Sequence, residues 1–150
     1  MTNKKILAVA SAGGHLVQLL RLTPAFIDHK VHWVSTSITQ PKEIHVDSYH
    51  MVREASMWNK YGLAIMAFQI FWLVIRLRPD VVISTGAAPG YFALVFGKII
   101  GARTIWIDSI ANSEELSLAG RKSKLWADYW FTQWPELSNE NGPHFIGSVI

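Results

Sequence analysis

Short apolar runs alternating with helix-length segments predict an α/β fold, a parallel sheet with helices on both faces. The apolar runs at residues 6–10, 31–36, 81–84 and 104–107 are of strand length and too short for core helices. A long apolar segment between the second and third of these runs is sized for a crossover helix. Two of the runs lead through glycine-bearing stretches straight into helix-like sequence, the junction at which open α/β sheets bind ligands.

Taken in order, residues 6–10 form the first strand and 15–27 the first helix, perturbed near Pro24. Residues 31–36 form the second strand. The polar stretch 37–45, which carries Pro41, is a loop, and 49–53 a short third strand. A long helix over 59–77 is stopped by Arg78-Pro79. The fourth strand, 81–84, precedes a second glycine-containing loop at 85–90 and a helix over 91–100 ended by Gly101. A fifth strand follows at 104–107, then a loop and helix through Ala127, then late strands at 129–132 and 145–146. No repeat or low-complexity segment interrupts the chain, and its 150 residues suit one domain.

Hydrophobic residues make up 50% of the chain and charged ones 17%, with seven tryptophans. The net charge of +3 is too small to argue for nucleic acid, but it suits an anionic membrane surface or phosphate-bearing ligands. Cysteine is absent, which excludes disulfides and thiolate metal sites, and the six histidines are scattered. The apolar run after Lys4-Lys5 is too short for a signal peptide, so a cytoplasmic location is the default expectation.

Ser11-Ala12-Gly13-Gly14-His15 and Ser84-Thr85-Gly86-Ala87-Ala88-Pro89-Gly90 are the two glycine stretches. Each offers free backbone N–H groups at a helix start, suited to phosphate; each could also be only a tight turn. The first lacks a full G-x-G-x-x-G, and Val34-Ser35-Thr36-Ser37 supplies no carboxylate for a ribose, which argues against NAD. No Gly-Lys-Ser/Thr follows either, which argues against a P-loop enzyme. His15 could cap the helix, bind the ligand or act as a general base, since imidazole titrates near neutral pH.

Residues 63–74, LAIMAFQIFWLV, hold Gln69 as their one polar interruption. Twelve residues fall short of the roughly 20 needed to span a bilayer. The segment reads as a crossover helix buried on the sheet or as a helix lying among lipid headgroups. Its near-total lack of a wet face, the flanking Lys60, Arg76 and Arg78, and the aromatic Trp58, Tyr61, Phe68, Phe71 and Trp72 favour membrane contact.

The segments SAGGHLVQLL, RPDVVISTGAAPGYFALVFGKIIGARTIWIDSIANSEELSLAGRKSKLWADYWFTQWPEL and HFIGSVI resemble the PssD-like polysaccharide proteins. They are similar to the membrane-associated subunit of the dolichol-pathway UDP-N-acetylglucosamine transferase. The resemblance covers most of the chain and is weakest between Val31 and Tyr61. It implies a Rossmann-like, acceptor-binding N-terminal half of a GT-B glycosyltransferase, distantly MurG-like, whose donor-binding half is a separate chain. A complete two-domain enzyme would need about twice this span. The function implied is transfer of a sugar from a UDP-sugar donor to a polyprenyl diphosphate acceptor at the cytoplasmic face of a membrane, with no tightly bound cofactor and no metal.

Carried onto this chain, the resemblance places Gly13, Gly14 and His15, with Ser11 beside them, at the acceptor diphosphate or reacting hydroxyl. Thr85, Gly86, Pro89 and Gly90 match the second loop. Inverting transfer needs a base, for which His15 stands first and Asp108 or Glu114 next. Asp108 replaces a glutamate of many relatives; Glu115, Leu116, Ser117 and Gly120 match the segment after it. Gln133-Trp134-Pro135 reads as structural and partner-facing, and the partner is expected to pack near Ser148-Val149-Ile150. The eukaryotic subunit's N-terminal span has no counterpart here, which leaves the membrane contact to residues 63–74. Two rival functions remain: a non-catalytic membrane scaffold for a transferase, and a standalone sugar-nucleotide-binding protein.

Overall fold

The computed structural model describes residues 3–42, 44 and 48–149. Its strands are β1 (Lys5–Ala10), β2 (Lys30–Ser35), β3 (Tyr49–Met51), β4 (Val81–Gly86), β5 (Arg103–Ile107), β6 (Tyr129–Thr132) and β7 (His144–Phe145). Its α-helices are α1 (Gly14–Leu20), α2 (Lys60–Leu77), α3 (Ala87–Ile99) and α4 (Leu118–Ser123). The strands form one sheet in the order β3-β2-β1-β4-β5-β6-β7, every pair parallel. The order reverses between β1 and β4, so the loops leaving those two strands diverge and open a crevice at the carboxyl edge.

Alternation along β1 divides the core. Leu7 and Val9 face α2 and α3 and pack with Val34, Met66, Ile70, Val82 and Leu94. Ile6, Ala8 and Ala10 face α1 and pack with Leu16, Leu19, Phe26 and Trp33. Both faces of the strand are covered, which is why its sequence is a continuous apolar run with no polar alternation.

Several boundaries differ from the sequence expectation, among them the end of β3, at Met51, and those that follow. The first helix ends at Leu20, and Thr23–Phe26 forms a separate 3₁₀ turn with Pro24 in its first positions, where a missing N–H costs nothing. The expected loop at 85–90 does not exist. The strand runs through Gly86 and α3 begins at Ala87, with φ of 143° and 68° at these two residues making the reversal. Pro89 is accommodated because it sits in the helix's first turn. The short helix before β6 covers only Leu118–Ser123. The polar stretch expected as a loop over 37–45 includes residues 43 and 45, which lie outside the described residues.

Helix α2 packs on the sheet, as the crossover reading expects, and leaves one side of the apolar segment exposed. Gly62, Met66, Ile70 and Val74, spaced by four, form its buried stripe. Asn59 caps its start by accepting the Gly62 N–H at 2.8 Å, and Lys5 Nζ donates to the Leu77 carbonyl at 2.7 Å at its end. Gln69 Oε1 accepts the Arg53 N–H at 2.8 Å, which ties the exit of β3 to the helix. The outward side stays apolar: Tyr61, Phe68, Phe71, Trp72 and Ile75 are exposed, as is Trp58 just before the helix. By length and composition the helix could cross a membrane, but its packed stripe holds it against the sheet and presents only one side outward.

Candidate functional site

At the carboxyl edge, the starts of α1, α2 and α3 and the segments 55–57 and 109–122 surround a cleft of about 730 Å³. Gly14, His15 and Gln18 contribute from α1, Ala87, Ala88, Tyr91 and Phe92 from α3, and Lys122 the one cation. Met57, Leu63 and Leu118 make much of the wall apolar.

The two glycine junctions converge on His15. Its Nδ1 lies 3.0 Å from the Thr85 carbonyl oxygen, and Thr85 Oγ1 donates back to the His15 carbonyl at 2.6 Å. A carbonyl only accepts, so the Nδ1 contact requires the proton on Nδ1 and leaves the lone pair of the neutral ring on Nε2. The imidazole packs directly on Gly86, where any Cβ would overlap the ring. Ala12 N–H donates to Thr36 Oγ1 at 2.9 Å, which pins the first junction to the exit of β2. Gly13 and Gly14 remain exposed at its tip.

Not every expected residue reaches the cleft. Ser11 and Gly13 flank it, and Thr85 lies behind His15, fully buried. Pro89 and Gly90, expected to face phosphate, are buried in the first turn of α3, with Gly90 against the Ser84 side chain and the Trp106 ring. Asp108 is 1% exposed and its carboxylate is fully occupied. Oδ1 accepts from Trp106 Nε1 at 3.0 Å and Ser117 Oγ at 2.6 Å; Oδ2 accepts from Asn112 Nδ2 at 3.1 Å and Ser117 N–H at 3.0 Å. That carboxylate shapes the loop into α4, with both oxygens turned to donors of the chain, and it does not line the cleft. Glu114 and Glu115 are exposed outside the cleft, and Glu115 pairs with Arg121 at 2.9 Å. Among the described residues, no three His, Asp or Glu side chains gather as a metal site would need.

A buried amide network beneath the cleft joins Gln133, expected to be structural, to Gln18, which the sequence does not single out. Gln18 Nε2 donates to the Gly14 carbonyl at 3.2 Å and to Ser109 Oγ at 3.1 Å, while its Oε1 accepts from Gln133 Nε2 at 2.6 Å. Gln133 Nε2 also donates to the Asp108 carbonyl at 2.9 Å, and its Oε1 accepts the Val149 N–H at 2.7 Å. Two glutamines 115 positions apart thus connect the first turn of α1 to the C-terminal tail. Spacing along the chain cannot reveal such a pair; only the two isolated glutamines in apolar settings hint at it.

Comparison with known proteins bears on the family and the fold. Residues 6–149 match the family described as "Oligosaccharide biosynthesis protein Alg14 like". The chain is 27% identical to the UDP-N-acetylglucosamine transferase subunit ALG14 of Mus musculus, over 97% of this chain and 83% of that protein. It is 25% identical to the Homo sapiens protein of the same name, over 97% and 82%. Among solved structures it superposes on Acinetobacter baumannii MurG with a TM-score of 0.75 at 12% identity, over 98% of this chain and 46% of that one. A Methanocaldococcus jannaschii UDP-GlcNAc 2-epimerase, solved with UDP-GlcNAc and UDP, gives 0.65 at 12% identity, over 86% and 40%. These structural likenesses show the fold, a Rossmann-like half of the GT-B kind, and the chain spans less than half the length of either protein.

Proposed function

Because this chain belongs to the family of Alg14-like oligosaccharide biosynthesis proteins, we propose that it is the acceptor-binding subunit of a two-chain glycosyltransferase. It forms one domain over residues 1–150, and a separate chain presents the UDP-sugar donor. The acceptor is a sugar carried on a polyprenyl diphosphate, seated in the carboxyl-edge cleft, and one of that sugar's hydroxyls is the nucleophile.

The observation that supports this most is the tautomer enforced on His15 at the rim of a cleft with a largely apolar wall. With Nδ1–H held by Thr85, Nε2 is the atom that takes the proton from the acceptor hydroxyl as its oxygen attacks the sugar's anomeric carbon. The bond from that carbon to UDP breaks as the new one forms, UDP leaves with the bonding pair, and configuration inverts. The N–H groups of Ala87 and Ala88, at the start of α3, have no partner within the helix and suit the diphosphate, as does the Lys122 ammonium. Met57, Leu63, Tyr91, Phe92 and Leu118 suit the polyprenyl chain. The outward face of α2 continues that apolar wall, so the chain works against the cytoplasmic face of a membrane, with Trp58, Phe68, Phe71 and Trp72 among the lipid headgroups and Lys60, Arg76 and Arg78 at the ends.

Gentle detergent extraction of the tagged chain from its host's membranes, with mass spectrometry of what co-purifies, tests this reading. The expected result is a second α/β chain in the eluate and, with it, transfer from a UDP-sugar to a polyprenyl diphosphate acceptor. Recovery as a lone protein in the soluble fraction would overturn it.

A further inference from the structure

The amino ends of the strands frame a second cavity, of about 770 Å³, at the opposite end of α2 from the cleft. We propose that it binds the phosphate-bearing headgroup of an anionic membrane lipid whose acyl chains lie along the outward face of α2. Lys4, Arg78 and Arg103 line it, against the single carboxylate of Asp80. Asp80 Oδ2 already accepts the Lys5 N–H at 2.8 Å. The ion pairs among the described residues are Lys98–Asp128 and Arg121–Glu115, so the three lining cations enter none of them. Arg103 instead rests over the Tyr129 ring, 5.9 Å from its centre. Three cations facing one committed carboxylate make a cavity suited to an anion.

Continuity with α2 selects a lipid over a free phosphate. Phe68, Phe71, Trp72 and Ile75 are all exposed and stand at i, i+3, i+4 and i+7, one apolar stripe along the helix. Ile75, at its end, also lines the basic cavity. A free anion would fill the cavity and leave the stripe bare, whereas a phospholipid covers both. The helix ends at Arg78 in the left-handed region, with φ of 44°, where glycine is the usual residue. The chain therefore carries a guanidinium at the cavity at the expense of an easier backbone. This inference rests on the membrane contact proposed above and adds where the headgroup sits.

Co-sedimentation of the full chain with phosphatidylcholine vesicles, with and without phosphatidylglycerol, tests it. The variant pair Arg78→Asn, Arg103→Gln removes two lining cations; asparagine tolerates the left-handed backbone, so the fold is kept. Arg21→Gln, on α1 across the sheet, removes a charge from the other face. Each lining cation lost is expected to weaken binding to anionic vesicles roughly fivefold, with binding to neutral vesicles and the Arg21→Gln variant unchanged. An equal loss from Arg21→Gln, or none from the pair, would overturn the headgroup cavity. Binding to neutral vesicles with no gain from phosphatidylglycerol would overturn the cavity but leave the membrane contact standing. Binding to neither vesicle would overturn both.

Discussion

The two strand-to-helix junctions read alike in sequence, yet the structure builds them for different work. At Gly13 and Gly14 an added Cβ would meet nothing within 4 Å. At Gly86 it would overlap the His15 ring, and at Gly90 the Ser84 side chain. The first junction leaves open space at both glycines, and Gly13 also needs the freedom of glycine for its φ of 80°. The second is glycine-rich in order to close, bringing α3 onto β4 and giving His15 a floor. One supplies the catalytic candidate, the other its position.

Substitutions at the two junctions should therefore differ in kind. Gly90→Ala should have the largest effect on folding, about 3 kcal/mol lost in chemical denaturation, because Ser84 and Trp106 are wholly buried and leave no room for a methyl. Gly86→Ala should follow at about 2 kcal/mol, from a backbone with φ 143° and ψ 175° that only glycine occupies readily. It should also lower transfer about a hundredfold by displacing His15. Equal wild-type activity in that variant would show that the floor beneath the imidazole is irrelevant.

A pH effect should arise away from both junctions. His32 Nδ1 and His50 Nε2 lie 3.3 Å apart across β2 and β3. Burial, then His50 and the nearby Lys30 and Lys5, hold His32 below the ordinary 6.5. Burial and then Arg76 do the same for His50. The unfolded chain therefore takes up these protons first. Stability is full above 6.5 and falls as pH drops below it toward the folded values. Thermal melts at about pH 7.5 and 5.5 should show the loss, and His50→Gln should flatten it. Gly14→Ala closes the series with a stability change within about 0.5 kcal/mol. Its methyl projects into open space at the cleft, so it should raise KM for the acceptor while leaving the fold intact. Unfolding of that variant would erase the contrast between the junctions.

Much of the fold was legible because a parallel sheet buried on both faces writes its strands as unbroken apolar runs, as Ile6 to Ala10 does. The position of His15 at the cleft was legible because a histidine after paired glycines at a strand-to-helix junction starts the helix at the sheet's carboxyl edge. The second junction was misread since Pro89 and Gly90 are turn signals in isolation, but proline fits the first turn of a helix and glycine a close helix–strand contact. Asp108 and Glu114 were runner-up bases; donors within nine positions, Trp106, Asn112 and Ser117, turn the first carboxylate inward, and the second is exposed outside the cleft. Gln133 reads as structural in the sequence and is buried in the amide network, whereas Gln18 and the cation Lys122 were missed, since their meaning exists only once α1, β6 and α4 are brought together.

The central claim is that His15 takes part in transfer, and its most direct test is the rate of sugar transfer by the reconstituted two-chain complex carrying His15→Ala. A base lost from an intact site should lower kcat by roughly 10²- to 10⁴-fold, with the complex still assembled and KM for the UDP-sugar little changed. A rate equal to wild type would contradict the account and make this chain a scaffold for a catalyst held elsewhere.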